Sequence, residues 1–128
     1  MKDVVETKNA PQAIGPYSQS VKISVASMLF CSGQIPIDPA TGQVAEAMPE
    51  VQARQVMENL KAVIEAGGFA MHDVVKTTIY LKDMANFALV NSVYESFFHG
   101  AFPARSTVEV SALPRGVLIE IDAIACRQ

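Results

Sequence analysis

The chain has 128 residues, a formal net charge of −3, and a composition that is 50% hydrophobic and 18% charged. That length is expected to form one domain over residues 1–128, and that apolar content supplies a packed core, which excludes disorder. Lys and Arg are scattered without a basic stripe, which argues against a nucleic-acid partner, and the apolar runs are too short and interrupted for a membrane partner.

The opening segment, Met1-Lys2-Asp3-Val4-Val5-Glu6, carries acids and no long apolar stretch, so a secretory leader is not expected. Cytoplasmic location follows as the expectation. The two cysteines, Cys31 and Cys126, lie in strand-like patterns and read as reduced, buried thiols.

In chain order, Val4 to Thr7 reads as a short strand, and residues 10–16 as a loop rich in Pro and Gly. Ser20 to Val25 and Met28 to Ser32 read as two strands around an Ala26-Ser27 turn. Asp38-Pro39-Ala40-Thr41-Gly42 is a turn by composition. Pro49 to Ala66 is the clearest helix: Pro49 suits the first turn, Val56, Met57, Leu60, Val63 and Ile64 make one stripe, and Gly67-Gly68 ends it. Val74 to Leu81 is β-branched and reads as a strand. Asp83 or Asn86 is placed to cap a second helix running to about His99, with Phe87, Val90, Tyr94, Phe97 and Phe98 as its stripe. His99 then complements that helix's C-terminus. Arg105 to Ala112 and Val117 to Cys126 are the last strands.

The order β-β-β-α-β-α-β-β implies an α+β fold with both helices on one sheet face. Alternation assigns Val117, Ile119, Ile121, Ala123 and Ala125, with Val108 and Val110, to the helix side. Leu118, Glu120, Asp122 and Ile124, with Arg105, Thr107 and Glu109, form a second, mixed face. Such a face suits a subunit interface and implies a homo-oligomer; a solvated face fits the alternation equally well.

Two features near the end suggest a site. Arg105 stands after Phe102-Pro103-Ala104, and Arg grips a planar carboxylate through two parallel hydrogen bonds. Glu120 lies between Ile119 and Ile121, where surroundings tune ionisation. On residue type alone, Arg105 is more often a salt-bridging surface cation and Glu120 a solvated strand residue. If the last two strands form a plain hairpin, Arg105 and Glu120 lie ~13 Å apart along it, too far for one small substrate. A shared pocket then requires that they are not hairpin neighbours, which is the preferred solution, or that another subunit completes the site.

The chain resembles the RidA/YjgF family of enamine/imine deaminases. The resemblance rests on ordered segments, among them Ala13-Ile14-Gly15-Pro16-Tyr17-Ser18-Gln19, Ser32-Gly33-Gln34-Ile35-Pro36, Gln52-Ala53-Arg54-Gln55, Val90-Asn91-Ser92-Val93-Tyr94-Glu95, Phe102-Pro103-Ala104-Arg105-Ser106 and Ile119-Glu120-Ile121-Asp122-Ala123-Ile124-Ala125. It implies a chorismate-mutase-like mixed six-stranded sheet with two helices on one face. It also implies a homotrimer with clefts between subunits, and cofactor-free hydrolysis of small 2-imino acids to 2-keto acids and ammonia. Carried onto this sequence, it implies Arg105 as carboxylate anchor and Glu120 as the group that handles water and proton. Tyr17, Asn91 and backbone groups of Ser32, Gly33 and Thr107 are the implied substrate contacts, some from the adjacent subunit. Two departures stand out. Thr107 occupies a position where many members carry Cys, which removes thiol chemistry there. The His99-Gly100-Ala101 segment is shorter than the family pattern. His72 and His99 have no metal-ligand spacing, so no metal is expected.

Overall fold

The apolar stripe of the first long helix sets the layers. The computed structural model describes residues 2–128; Met1, part of the segment read above for a leader, lies outside the described residues. Helix α1 spans Pro49–Ala66 with Pro49 in its first turn, as its sequence dictates. Val56, Met57, Leu60 and Ile64 are fully buried, each stabilising by about 1.5–3 kcal/mol relative to exposure. The buried amide of Gln52 accepts from Leu118 N at 2.8 Å and donates to the Ala45 carbonyl at 3.1 Å, tying α1 to the entry of the last strand.

Six strands are present among the described residues: β1 (Asp3–Val5), β2 (Ser20–Lys22), β3 (Ser27–Gln34), β4 (Val74–Leu81), β5 (Ala104–Glu109) and β6 (Ile119–Arg127). Helix α2 spans Phe87–Glu95. The sheet expected as one six-stranded layer is divided. Strands β3-β6-β4-β5 form a mixed sheet, while β1 and β2 form an antiparallel ribbon. A single parallel bridge, Ser18 to Ala104, joins the ribbon's approach to the β5 edge. Consequently β2 pairs with β1 rather than turning back on β3 around residues 26–27.

Strand β4 separates β5 from β6, parallel to the first and antiparallel to the second. The last two strands are therefore not hairpin neighbours, as the pocket argument preferred. Helix α2 is shorter than expected. Asp83 caps a preceding short 3-10 turn by accepting from Ala85 N at 2.9 Å. Beyond Glu95 the chain tightens: the Ser96, Phe97 and Phe98 amides each bond three residues back. His99 lies outside the helix and does not complement its end. Among the described residues, no helix is long and apolar enough to cross a membrane.

The alternation of β6 holds: Ile119, Ile121, Ala123 and Ala125 are buried toward the helices. That of β5 is reversed. Arg105, Thr107 and Glu109 stand level with Thr77, Ile79 and Leu81, the helix-side residues of β4. Val108 points to the uncovered face and is 42% exposed. Alternation separates the two sides of a strand, but pairing register decides which side meets the core. As an edge strand, β5 has a helix side that borders α2 and the loop before β2, where polar groups are tolerated.

Candidate active site

The helix-side group is built around Arg105. β5 carries it level with Thr77, and its Nη1 donates to the Asn91 side-chain oxygen on α2 at 2.8 Å. Three rings surround the guanidinium: Tyr94 at 5.3 Å, Tyr17 at 5.5 Å and Phe87 at 5.6 Å from its carbon. Residues 87, 91 and 94 share one helical stripe, so α2 presents two rings and one amide to the cation. Tyr17 comes from the loop before β2, where its amide bonds the Gly15 carbonyl at 2.8 Å. Gly15 lies against the cage: a Cβ on it would stand in ordinary contact with Arg105 Nη2, at 3.8 Å.

This is an unusual place for a cation. Burial pulls the Arg105 pKa down, while Tyr94 and Tyr17 act the other way. Among the described residues no carboxylate lies within salt-bridge distance of it. Ring faces offset part of the desolvation cost, but the remaining guanidinium N–H groups have no protein acceptor. A half-buried guanidinium with one arm on Asn91 and no carboxylate partner among the described residues has donors suited to a planar anion. Thr107 shares this side of β5, and its Oγ1 is the one buried side-chain polar atom without a partner among the described residues.

The second group lies on the opposite face. Glu120 is level with Tyr80 on β4 and projects from the uncovered side of β6. It covers Gly33, where the register of β3 against β6 shifts between Cys31 and Gln34. A Cβ on Gly33 would fall 2.8 Å from the Glu120 carboxyl carbon, so only glycine leaves the carboxylate in place. Ser32, exposed, adjoins it. Nearby, Tyr80 donates to Asp122 at 3.0 Å. Farther along the same face stand Phe30, 70% exposed and level with Ile124, and Met28, 46% exposed and level with Cys126.

The structure thus brings the expected residues together in two sets within one chain. Arg105, Tyr17, Asn91 and Thr107 form one; Glu120, Ser32 and Gly33 form the other. The expectation that Arg105 and Glu120 share a sheet face is corrected by the β5 register. Residues missed in the sequence are Phe87 and Tyr94. Asn91, amid the apolar α2 stripe, was the available signal, since an amide there needs a polar partner.

Both cysteines are buried and unpaired. Burial raises both thiol pKa values, with Asp122 adding to the effect at Cys31. No cluster of three or more potential metal ligands exists among the described residues. A cavity of about 600 Å³ shares Tyr17 with the Arg105 cage and is lined also by Ser18, Glu6, Lys8 and Gln12.

The chain is similar to several known proteins. The family model described as Endoribonuclease L-PSP matches residues 7–127. The chain is 55% identical, over the full length of both proteins, to a 2-iminobutanoate/2-iminopropanoate deaminase of Salmonella typhimurium. It is 53% identical, again over both full lengths, to a RutC family protein of Pyrococcus horikoshii. Among solved structures, the YjgF gene product of Escherichia coli superposes with a TM-score of 0.76 at 52% identity, covering 98% of this chain and 99% of that one. Escherichia coli TdcF with bound serine superposes with a TM-score of 0.77 at 45% identity and the same coverage.

Proposed function

This chain belongs to the RidA/YjgF family, and from that membership we propose that it hydrolyses small 2-imino acids, derived from 2-aminoacrylate and 2-aminocrotonate, to 2-keto acids and ammonia. The observation that carries the reading is the Arg105 fork, half-buried among three rings without a protein carboxylate. It fits the carboxylate common to these substrates.

Hydrolysis proceeds by addition of water to the C=N carbon, proton transfer to nitrogen, and departure of ammonia. Arg105 fixes the substrate's carboxylate, which removes much of the entropic barrier. Asn91 holds one arm of the guanidinium, and the rings fix its plane. Glu120 orients and deprotonates the water, then returns the proton to the leaving amine. Ser32 and Gly33 supply backbone hydrogen bonds beside it. Water is the sole co-reactant, so no cofactor is invoked.

Because Glu120 and Arg105 occupy opposite faces, the proposed site is composite: Arg105 of one protomer and Glu120 of the next. The exposed Phe30, Met28 and Val108 on the same uncovered face as Glu120 supply an apolar surface for that contact. A homotrimer, closed by a threefold axis, provides three such clefts. The setting proposed is the cytoplasm, where pyridoxal-phosphate dehydratases release the enamines.

The test is a coupled assay. A dehydratase generates 2-aminoacrylate or 2-aminocrotonate in situ, and 2-keto acid release is followed with and without this protein. Acceleration over buffer supports the reading. A second reading, a carboxylate-binding regulatory trimer, is favoured by the completeness of the Arg105 cage without Glu120. Calorimetric binding of 2-ketobutyrate without acceleration selects it. RNA cleavage, suggested by the family model's description, finds no support in the net charge of −3 and the scattered cations.

A further inference from the structure

Strands β1 and β2 pair in a register that sets Val5 against Ser20. Continued outward, that register would set Thr7 against Ser18. Ser18 is engaged elsewhere: its amide donates to the Pro103 carbonyl at 3.1 Å, its hydroxyl to the Phe102 carbonyl at 2.5 Å, and it forms the bridge to Ala104 of β5. Thr7 would be left with an unpaired N–H and C=O, and the side chain of Gln19 takes both. Gln19 Oε1 accepts from Thr7 N at 2.7 Å and Nε2 donates to the Thr7 carbonyl at 3.1 Å, so one amide does for Thr7 what a strand neighbour would do. The same Nε2 donates to the Pro11 carbonyl at 2.5 Å. That bond closes residues 11–19 into a loop, and Tyr17 lies inside it. Within residues 12–17 the one hydrogen bond is from Tyr17 N to the Gly15 carbonyl. The shape of the loop therefore rests on its two ends, Gln19 at Pro11 and Ser18 at β5.

We propose that Gln19 is a positioning residue for carboxylate binding: by closing this loop it holds the Tyr17 ring against the Arg105 guanidinium. This rests on the proposed role of Arg105 as carboxylate anchor. Gln19 touches neither the guanidinium nor the anion, and acts through Tyr17 alone. The ring stands 5.5 Å from the guanidinium carbon, and the same loop sets Gly15 beside Nη2. Asn91 fixes the other arm from α2. Two of the cage's rings, Phe87 and Tyr94, are carried by a helix, whose shape is set by its own hydrogen bonds. Tyr17 is carried by a loop and needs a tie from outside, which Gln19 supplies. A ring held there keeps water from one face of the cation, and hydrogen bonds from a guanidinium to a carboxylate are stronger where water is excluded. A loop released at Pro11 lets the ring swing away and exposes that face.

The test measures 2-ketobutyrate affinity by calorimetric titration, and kcat and KM in the coupled assay, on wild type and Gln19→Met, each with and without Tyr17→Ala. Met keeps the reach of Gln and lacks its amide. In Gln19→Met, the Kd for 2-ketobutyrate and the KM are expected to rise about fivefold, the worth of one ring contact to the cation. The kcat is expected to stay within about twofold, because Glu120 stands on the other face of the sheet. In the Tyr17→Ala background the same substitution is expected to change the Kd by less than about twofold, since the ring through which Gln19 acts is gone. If Gln19→Met does not fold, Gln19→Asn, too short to serve Thr7 and Pro11 together, replaces it in the same comparison. An unchanged Kd, a fall in kcat as large as that in kcat/KM, or an effect of equal size without Tyr17 overturns the inference. Wild type that does not bind 2-ketobutyrate contradicts the Arg105 reading instead, so the two failures are distinct.

Discussion

Arg105 and Glu120 face opposite sides of one sheet: Arg105 is level with Thr77 and Glu120 with Tyr80, three positions on along β4 and hence of opposite parity. No rotamer of either side chain carries it through the sheet. If both act on one substrate, they come from different protomers. Arg105→Ala and Glu120→Gln are each expected to lose activity, the latter by about 10²–10⁴-fold. Mixing the two inactive proteins, unfolding and refolding them together in equal amounts, is expected to restore about a quarter of wild-type sites, by random assembly across a symmetric interface. No recovery in the mixture places both groups in one protomer and contradicts the composite site.

Gly33 and Glu120 are fitted to each other. A methyl on Gly33 meets the carboxyl carbon at 2.8 Å and displaces the side chain. Gly33→Ala is expected to change stability little, because the Glu120 side chain can swing aside, and to lower turnover more than tenfold while leaving binding of 2-ketobutyrate at Arg105 intact. Chemical denaturation and the coupled assay measure the two effects separately. Weakened ligand binding with full turnover contradicts the placement of Glu120.

Tyr94 links the cage to the core. Its hydroxyl and that of Thr77 are buried and 2.7 Å apart. Tyr94→Phe strands the Thr77 hydroxyl and is expected to cost about 1–3 kcal/mol, whereas adding Thr77→Val recovers part of the loss. The same residue gives an alkaline signature. Burial raises the Tyr94 pKa to about 12 from 10.0, with Thr77 and Arg105 opposing. A raised acid contributes stability that is complete below the unfolded pKa and is lost as pH climbs toward the folded one. Wild type should therefore lose about 2 kcal/mol between pH 10 and 12, and Tyr94→Phe should lack that component. Parallel denaturation curves at pH 9 and 11.5 check it.

The uncovered face predicts self-association. Phe30, paired with Ile124 and 70% exposed, is the most accessible large apolar side chain on that sheet. Phe30→Asp is expected to shift the protein toward monomer in sedimentation and to lose activity in proportion. A monomeric wild type of full activity contradicts both the interface and the composite site.

Helix α1 and strand β4 were legible to the residue because local signals coincide with burial: a 3.6-residue stripe with Pro and Gly at its ends, and a β-branched run in the sheet centre. Pairing was less legible. Nothing local in residues 20–32 says that β2 joins β1, because that choice is fixed by distant strands. β5 shows the limit most clearly. Its alternation was read correctly, but its side was assigned by putting valines inward, and the parallel register against β4 turned Arg105 to the helices instead. The residues proposed for the site were carried over from resemblance, whereas the Phe87 and Tyr94 rings were taken for packing because they serve the α2 stripe as well as the cation.

The most direct test is kcat/KM for 2-aminocrotonate-derived imine, measured in the coupled assay on wild type and Arg105→Ala with matched melting temperatures. Loss of a charge-assisted carboxylate clasp predicts a fall of about 10²–10⁴-fold. Activity in Arg105→Ala equal to wild type contradicts the account.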